Sequence, residues 1–158
     1  MRRCARRFRK TFLARLPVGL NLARQLAWQQ RRFAEVFARA KYLLTYPQYW
    51  AWRLSGVTAA EVTSLGAHSD LWAPLQGQFS SVVSALDLRR LMPPLQPAYQ
   101  RLAPIKSDVA AAAGLRRDVG VFCGVHDSNA SLLPHLSSRR APFTIISTGT
   151  WVICWRRA

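Results

Sequence analysis

Acidic side chains are what this chain has least of. Its 158 residues hold 7 Asp and Glu against 23 Lys and Arg, a formal net charge of +16. Cysteine is also scarce: Cys4, Cys123 and Cys154 are odd in number and far apart. That spacing excludes a disulfide framework and a zinc knuckle, and it fits a reducing, cytoplasmic setting. No apolar run approaches the roughly 18 residues of a membrane span. Internal repeats and low-complexity tracts are absent. What is present in quantity is apolar: half the residues are hydrophobic and six are Trp, enough for one modest packed domain.

The positive charge raises a nucleic-acid or anionic-surface reading, but its distribution weakens it. Nine bases lie at the ends: Arg2, Arg3, Arg6, Arg7, Arg9, Lys10, Arg15, Arg156 and Arg157. That leaves 14 bases against 7 acids in between. No base-stacking aromatic stripe accompanies them. At the N-terminus, Cys4, Phe8, Phe12 and Leu16 recur every fourth residue among arginines. Two readings stay open there: an amphipathic helix for lipid, nucleic acid or an import receptor, or a solvated basic end.

Leu22, Leu26, Phe33, Phe37, Ala40 and Leu44 keep a near-helical period and predict one long helix over 22–44. Tyr46-Pro47 breaks it and starts a second helix, which Ser55-Gly56 closes. Thr58 to Ser69 reads as loop with a short strand, and Phe79 to Leu91 as helix. The Pro-rich stretch 92–97 is extended. Ser107 to Gly114 is a short helix capped by Ser107 or Asp108. Val119 to Cys123 is a short, buried strand, and Asp127 or Ser128 then caps a helix to about Leu136. Phe143–Ser147 and Trp151–Trp155 form a hairpin around Thr148-Gly149-Thr150. Helices, then strand, helix and hairpin, give an α/β or α+β class.

Two features near the C-terminus bear on chemistry. Asp127 stands where a strand ends and a helix begins. It is either a helix cap or a carboxylate that accepts the proton of an attacking hydroxyl. Ser147-Thr148-Gly149-Thr150 is either an ordinary turn or a source of backbone N–H and hydroxyl donors for phosphate oxygens.

The order of several segments resembles one family. "YPQYWAWRLSG" at 46–56 is similar to the helix end of the FGGY carbohydrate kinases, and "AAEVTSLGAHSDLW" at 59–72 to the Thr-rich segment after it. "LMPPLQPAYQRLAPI" at 91–105 resembles the family's Pro-rich linker. "VAAAAGLRRDVGVFCGVHDSNASLL" at 109–133 resembles its strand and acidic loop, and "FTIISTGTWVICW" at 143–155 its phosphate hairpin. The His-Asp and STGTW pair is most similar to the rhamnulose and fuculose kinase branch.

The resemblance implies a partial RNase H-like, actin-like ATPase domain, with a mixed sheet, packed helices and an incomplete fold. It implies ATP-dependent phosphorylation of a sugar or polyol hydroxyl, with ATP and Mg²⁺. Asp127 would be the catalytic base, and His126 and Asn129, which flank it, would help orient sugar or base. Ser147, Thr148, Gly149 and Thr150 would meet ATP phosphates; no protein metal ligand is assigned. Trp28, Tyr46, Tyr49 and Trp50 are expected to pack near the core. The expected layout is a basic segment over 1–16, the back half of the kinase first domain over 17–142, and the opening hairpin of a second domain over 143–158.

The family's Asp-x-Gly-Thr phosphate motif has no counterpart in residues 1–60. A truncated or frame-shifted gene product is therefore expected, one that needs the missing second domain and is inactive alone. The competing readings are a basic binding module and a targeting presequence on a kinase domain.

Overall fold

Helix α1, Leu22–Arg32, is built from strong helix formers and ends in Arg31 and Arg32, whose charge suits the negative end of the helix dipole. Its first free amides are met by another segment: Leu22 and Ala23 N–H donate to the carbonyls of His68 and Ser69 at 2.9 and 3.0 Å. The computed structural model describes residues 11, 13, 16–148 and 152–158. They divide into two compact units, one up to Val125 and one from His126.

The long helix expected over 22–44 is interrupted. Phe33 takes φ −132°, ψ 49° and splits off α2, Ala34–Ala38. The Phe33 ring stays edge-on to Trp28, at 5.5 Å, with the Arg32 guanidinium 5.3 Å from its centre. Beyond α2 the chain runs extended, and Leu43 N–H donates to Leu91 O (2.8 Å). Ala40 and Leu43 thus reach the core from an extended segment. Helix α3, Tyr46–Ser55, has the predicted limits, with Pro47 in its first turn and Gly56 closing it at φ 82°.

Residues 58–69 are not the expected loop. The buried carboxylate of Glu61 accepts from Thr63 and Ser64 N–H at 2.9 and 3.1 Å and starts α4, Val62–Gly66. The short strand foreseen there is a single parallel bridge, Ala60 to Leu95. Strands β1, Trp72–Ala73, and β2, Gln78–Phe79, pair antiparallel. The helix expected over 79–91 is broken too. Helix α5, Ser81–Ala85, is capped by Ser80; Asp87 adopts φ 49°, and Arg89–Leu91 is a 3-10 turn. Leu26, Leu65, Leu71, Val83, Leu88 and Leu91 bury together as the first core cluster.

β3, Arg101–Pro104, and β4, Gly120–Phe122, form an antiparallel pair, with α6, Ser107–Ala113, between them in sequence. Neither Ser107 nor Asp108 caps α6: Lys106 holds that place without a side-chain bond. The strand at 119–123 is buried on one side only, since Val121 and Cys123 are inside while Phe122 is exposed. Ala51, Ile105, Ala110 and Val121 make a second cluster. The second unit has α7, Asp127–Ser138, and a hairpin of β5, Phe143–Thr148, and β6, Val152–Arg157. The class is mixed α/β, and the strands among the described residues stand in three two-stranded ladders.

Candidate functional site

Asp127 is the first residue of α7, and His126 holds the cap position. The carboxylate therefore lies within the first turn, where the positive end of the helix dipole favours an anion. Its Oδ1 accepts from Ser128 N–H at 2.6 Å and from the Ser128 hydroxyl at 3.3 Å. His126 Nδ1 lies 3.0 Å from the same oxygen, an ion pair whenever the imidazole is protonated. The side chain of Asp127 is 92% exposed, so Oδ2 is open to solvent. Neither Asp127 nor Ser128 is the cap expected from the sequence: Asp127 is already inside the helix, its Oδ1 bonds to the neighbouring Ser128, and its carboxylate stays accessible. Asn129 is half-buried and donates its backbone N–H to His126 O (2.9 Å).

The hairpin places its candidates less simply. Ser147 pairs with Ile153 and Thr148 with Val152, so the two hydroxyls point to opposite faces of the ladder. Ser147 shares the half-buried face with Ile145 and Trp155, and Thr148 lies on the exposed face. Thr148 belongs to the strand rather than to the expected turn. Gly149 and Thr150 lie outside the described residues. In this unit Arg157 Nη1 donates to Leu136 O at 3.3 Å, joining β6 to α7.

The aromatics expected to pack are exposed instead: Trp28, Tyr46, Tyr49 and Trp50 range from 38% to 74% accessible. The last three touch one another edge to face along α3, with Trp50 5.4 Å from Tyr49 and 6.2 Å from Tyr46. Beside Trp50, a groove of about 510 Å³ runs between α3, α6 and β4, and every side chain lining it is uncharged. No three His, Cys, Asp or Glu side chains converge among the described residues.

Sequence reading missed one polar residue near this strand end, Gln48. It is fully buried, and its side chain bonds to the last residues of the β4 segment. Its signal was the spacing Thr45-x-x-Gln48, a capping-box pattern. Here the amide is turned toward the strand rather than back to Thr45 N–H.

Comparison with known proteins agrees with this architecture. The family model for the N-terminal domain of the FGGY family of carbohydrate kinases matches residues 13–134. The chain belongs to that family, and its fold is part of the actin-like ATPase architecture. The crystal structure of a carbohydrate kinase from Novosphingobium aromaticivorans is 40% identical over 95% of this chain, with a TM-score of 0.86. Xylulose kinase from Rhodospirillum rubrum and gluconate kinase from Lactobacillus acidophilus share the fold at 19% identity, over 90% and 81% of the chain, with TM-scores of 0.74 and 0.71. The chain spans 33% of the Novosphingobium protein, 29% of the Rhodospirillum one and 26% of the Lactobacillus one. Among curated proteins there is no match. No helix among the described residues is long and apolar enough to cross a membrane.

Proposed function

We propose that the chain is part of a cytoplasmic kinase that transfers the γ-phosphoryl group of ATP to a hydroxyl of a sugar or polyol, with Asp127 as general base. The observation that carries this reading is the open carboxylate at the start of α7, inside the stretch that the family model covers. Asp127 would accept the proton as the sugar oxygen bonds to phosphorus and the bond to ADP breaks. His126 Nδ1 lies 3.0 Å from Oδ1, and the other carboxylate oxygen, Oδ2, would meet the substrate hydroxyl. His126 and Asn129 would help orient the sugar, and Ser147 to Thr150 would meet ATP phosphates. No step is assigned to a metal held by this chain. Rhamnulose- and fuculose-type sugars are the first substrates to try.

The chain by itself is expected to be inactive, because catalysis by positioning needs sugar and ATP held together. Assayed with ATP, Mg²⁺ and a panel of ketoses, deoxy sugars and polyols, the purified chain should show no turnover above background. ATP-dependent phosphorylation that disappears in Asp127→Ala would overturn the inactivity. The base assignment is tested after joining the chain to the flanking two thirds of the Novosphingobium kinase. There Asp127→Asn should lower kcat by roughly 10²–10⁴-fold. An unchanged kcat would sink the assignment.

A further inference from the structure

Gln48 is a buried polar group that the proposed chemistry does not use. Its hydrogen bonds are committed on all sides. Nε2 donates to Cys123 O at 3.1 Å and to Gly124 O at 3.3 Å, and Oε1 accepts from the Thr45 hydroxyl. The flipped amide would set Oε1 against two carbonyl oxygens, so the network fixes its orientation. A Gln at the third helix position normally caps its own helix; this one instead bonds to residues 75 and 76 positions away. Gly124 adopts φ 83°, a conformation that favours glycine, and a Cβ there would lie 3.8 Å from Pro47 Cβ. Thr45, Pro47 and Gln48 therefore all serve the same contact, between the start of α3 and the end of the β4 segment.

We infer that Gln48 is a positioning residue: its amide clamps the backbone at Cys123 and Gly124, which precede Asp127 in sequence by four and three residues. The functional meaning rests on the reading of Asp127 as base. A base on an exposed helix turn works only if the segment leading into it is held, since misplacement of about 1 Å costs about two orders of magnitude in rate. Cys123 and Gly124 are themselves held on their N–H side, donating to Gln100 O and Ala98 O at 2.9 Å each. Gln48 secures the carbonyls of the same two residues.

The bland alternative is that Gln48 only fills space. Two near-isosteric variants of the full chain separate the readings. Gln48→Met keeps the volume and has no N–H donor. Gln48→Glu keeps the shape and can donate only when protonated, and burial favours that neutral form. The readout is hydrogen exchange of the Cys123 and Gly124 amides by NMR, as protection factors, with Leu71, Val83 and Leu88 as internal references. The clamp predicts that Gln48→Met loses roughly tenfold protection at the two amides, about the worth of one net hydrogen bond, with the references unchanged. Gln48→Glu should show near-native protection at low pH and lose it as the carboxyl ionises. Thr45→Val, a milder change that frees Oε1, should give a smaller loss at the same amides and keeps the test open if the Met variant does not fold. Native protection of both amides in Gln48→Met, or in Thr45→Val where the Met variant is unfolded, would overturn the clamp, as would a Gln48→Glu profile without pH dependence. Exchange does not involve phosphoryl transfer, so a silent Asp127→Asn in the joined kinase would sink the base alone.

Discussion

The two apolar clusters of the first unit are closed to different degrees. Around Leu65, Leu71, Val83, Leu88 and Leu91, helices α1, α4 and α5, the β1–β2 ladder and the extended stretch near Leu43 all contribute side chains. Around Ala51, Ile105, Ala110 and Val121, the described contributors are α3, α6, the β3–β4 ladder and Ile105 just after β3, and the uncharged groove opens beside them. The first cluster buries whole leucines, whereas the second buries mostly small residues and leaves Trp50 and Phe122 in solvent. A layer of helix and strand closes a core only when it is covered on its apolar face. The first region therefore has the makings of a self-sufficient core. The second is a half-core, and it is the half that carries β4 and the strand end leading to Asp127.

The sharpest way to break this contrast is to empty each cluster in turn. Leu71→Ala should cost about 2–5 kcal/mol, because a fully buried side chain leaves a cavity that its neighbours cannot collapse into. Val121→Ala removes less and opens onto the groove, so about 1 kcal/mol is expected. Urea unfolding of both variants measures the difference, and equal losses would mean that the groove is closed in solution. Thiol chemistry gives a finer reading. Burial pushes the Cys123 thiol up, the Gln48 amide partly offsets this, and Glu61 adds to the rise. The folded chain thus holds its proton where the unfolded chain has lost it. Stability should be level below the ordinary value of 9.0 and decline as pH rises beyond it. Cys154 is exposed, and at pH 8 an alkylating reagent should modify it well before Cys123. Equal labelling rates would show that the half-core opens freely.

Much of this fold could be read directly from residues with strong local chemistry. Pro47 and Gly56 bound α3, Gly114 ends α6, and the β-rich runs read at 143–147 and 151–155 fall on the paired strands 143–148 and 152–157. The missed features share a cause: a distant partner overrode the local pattern. Phe33 stops a helix that its period would continue, and from Ala40 onward the chain is extended, with Leu43 N–H bonded to Leu91 O. Glu61 is not a favoured cap, yet once buried its carboxylate finds its donors in the next turn. At the site, Asp127 was legible as a residue, because a lone acid after an apolar strand stands out among 7 acids. Gln48 was not, because the same spacing describes a local capping box, and only the tertiary contact with Cys123 and Gly124 sets its role. The aromatic run on α3 misled in the opposite direction: composition suggests a core, and the fold leaves it outside.

That exposed run gives the smallest expected effect on stability and tests the open half most directly. Trp50 is 48% accessible, and its ring contacts are with Tyr46 and Tyr49, which are exposed as well. Replacing it by Ser removes little apolar area that folding itself buries, so unfolding free energy should change by no more than about 0.5 kcal/mol. The solution behaviour should change more. A contiguous apolar surface in water promotes association, and the groove beside Trp50 has no charged side chain to oppose it. Sedimentation at increasing concentration should show less self-association for Trp50→Ser than for the parent chain. A loss of about 2 kcal/mol or more would instead mean that another part of this same chain covers Trp50 in solution, and the half-core would have to be redrawn as a closed one.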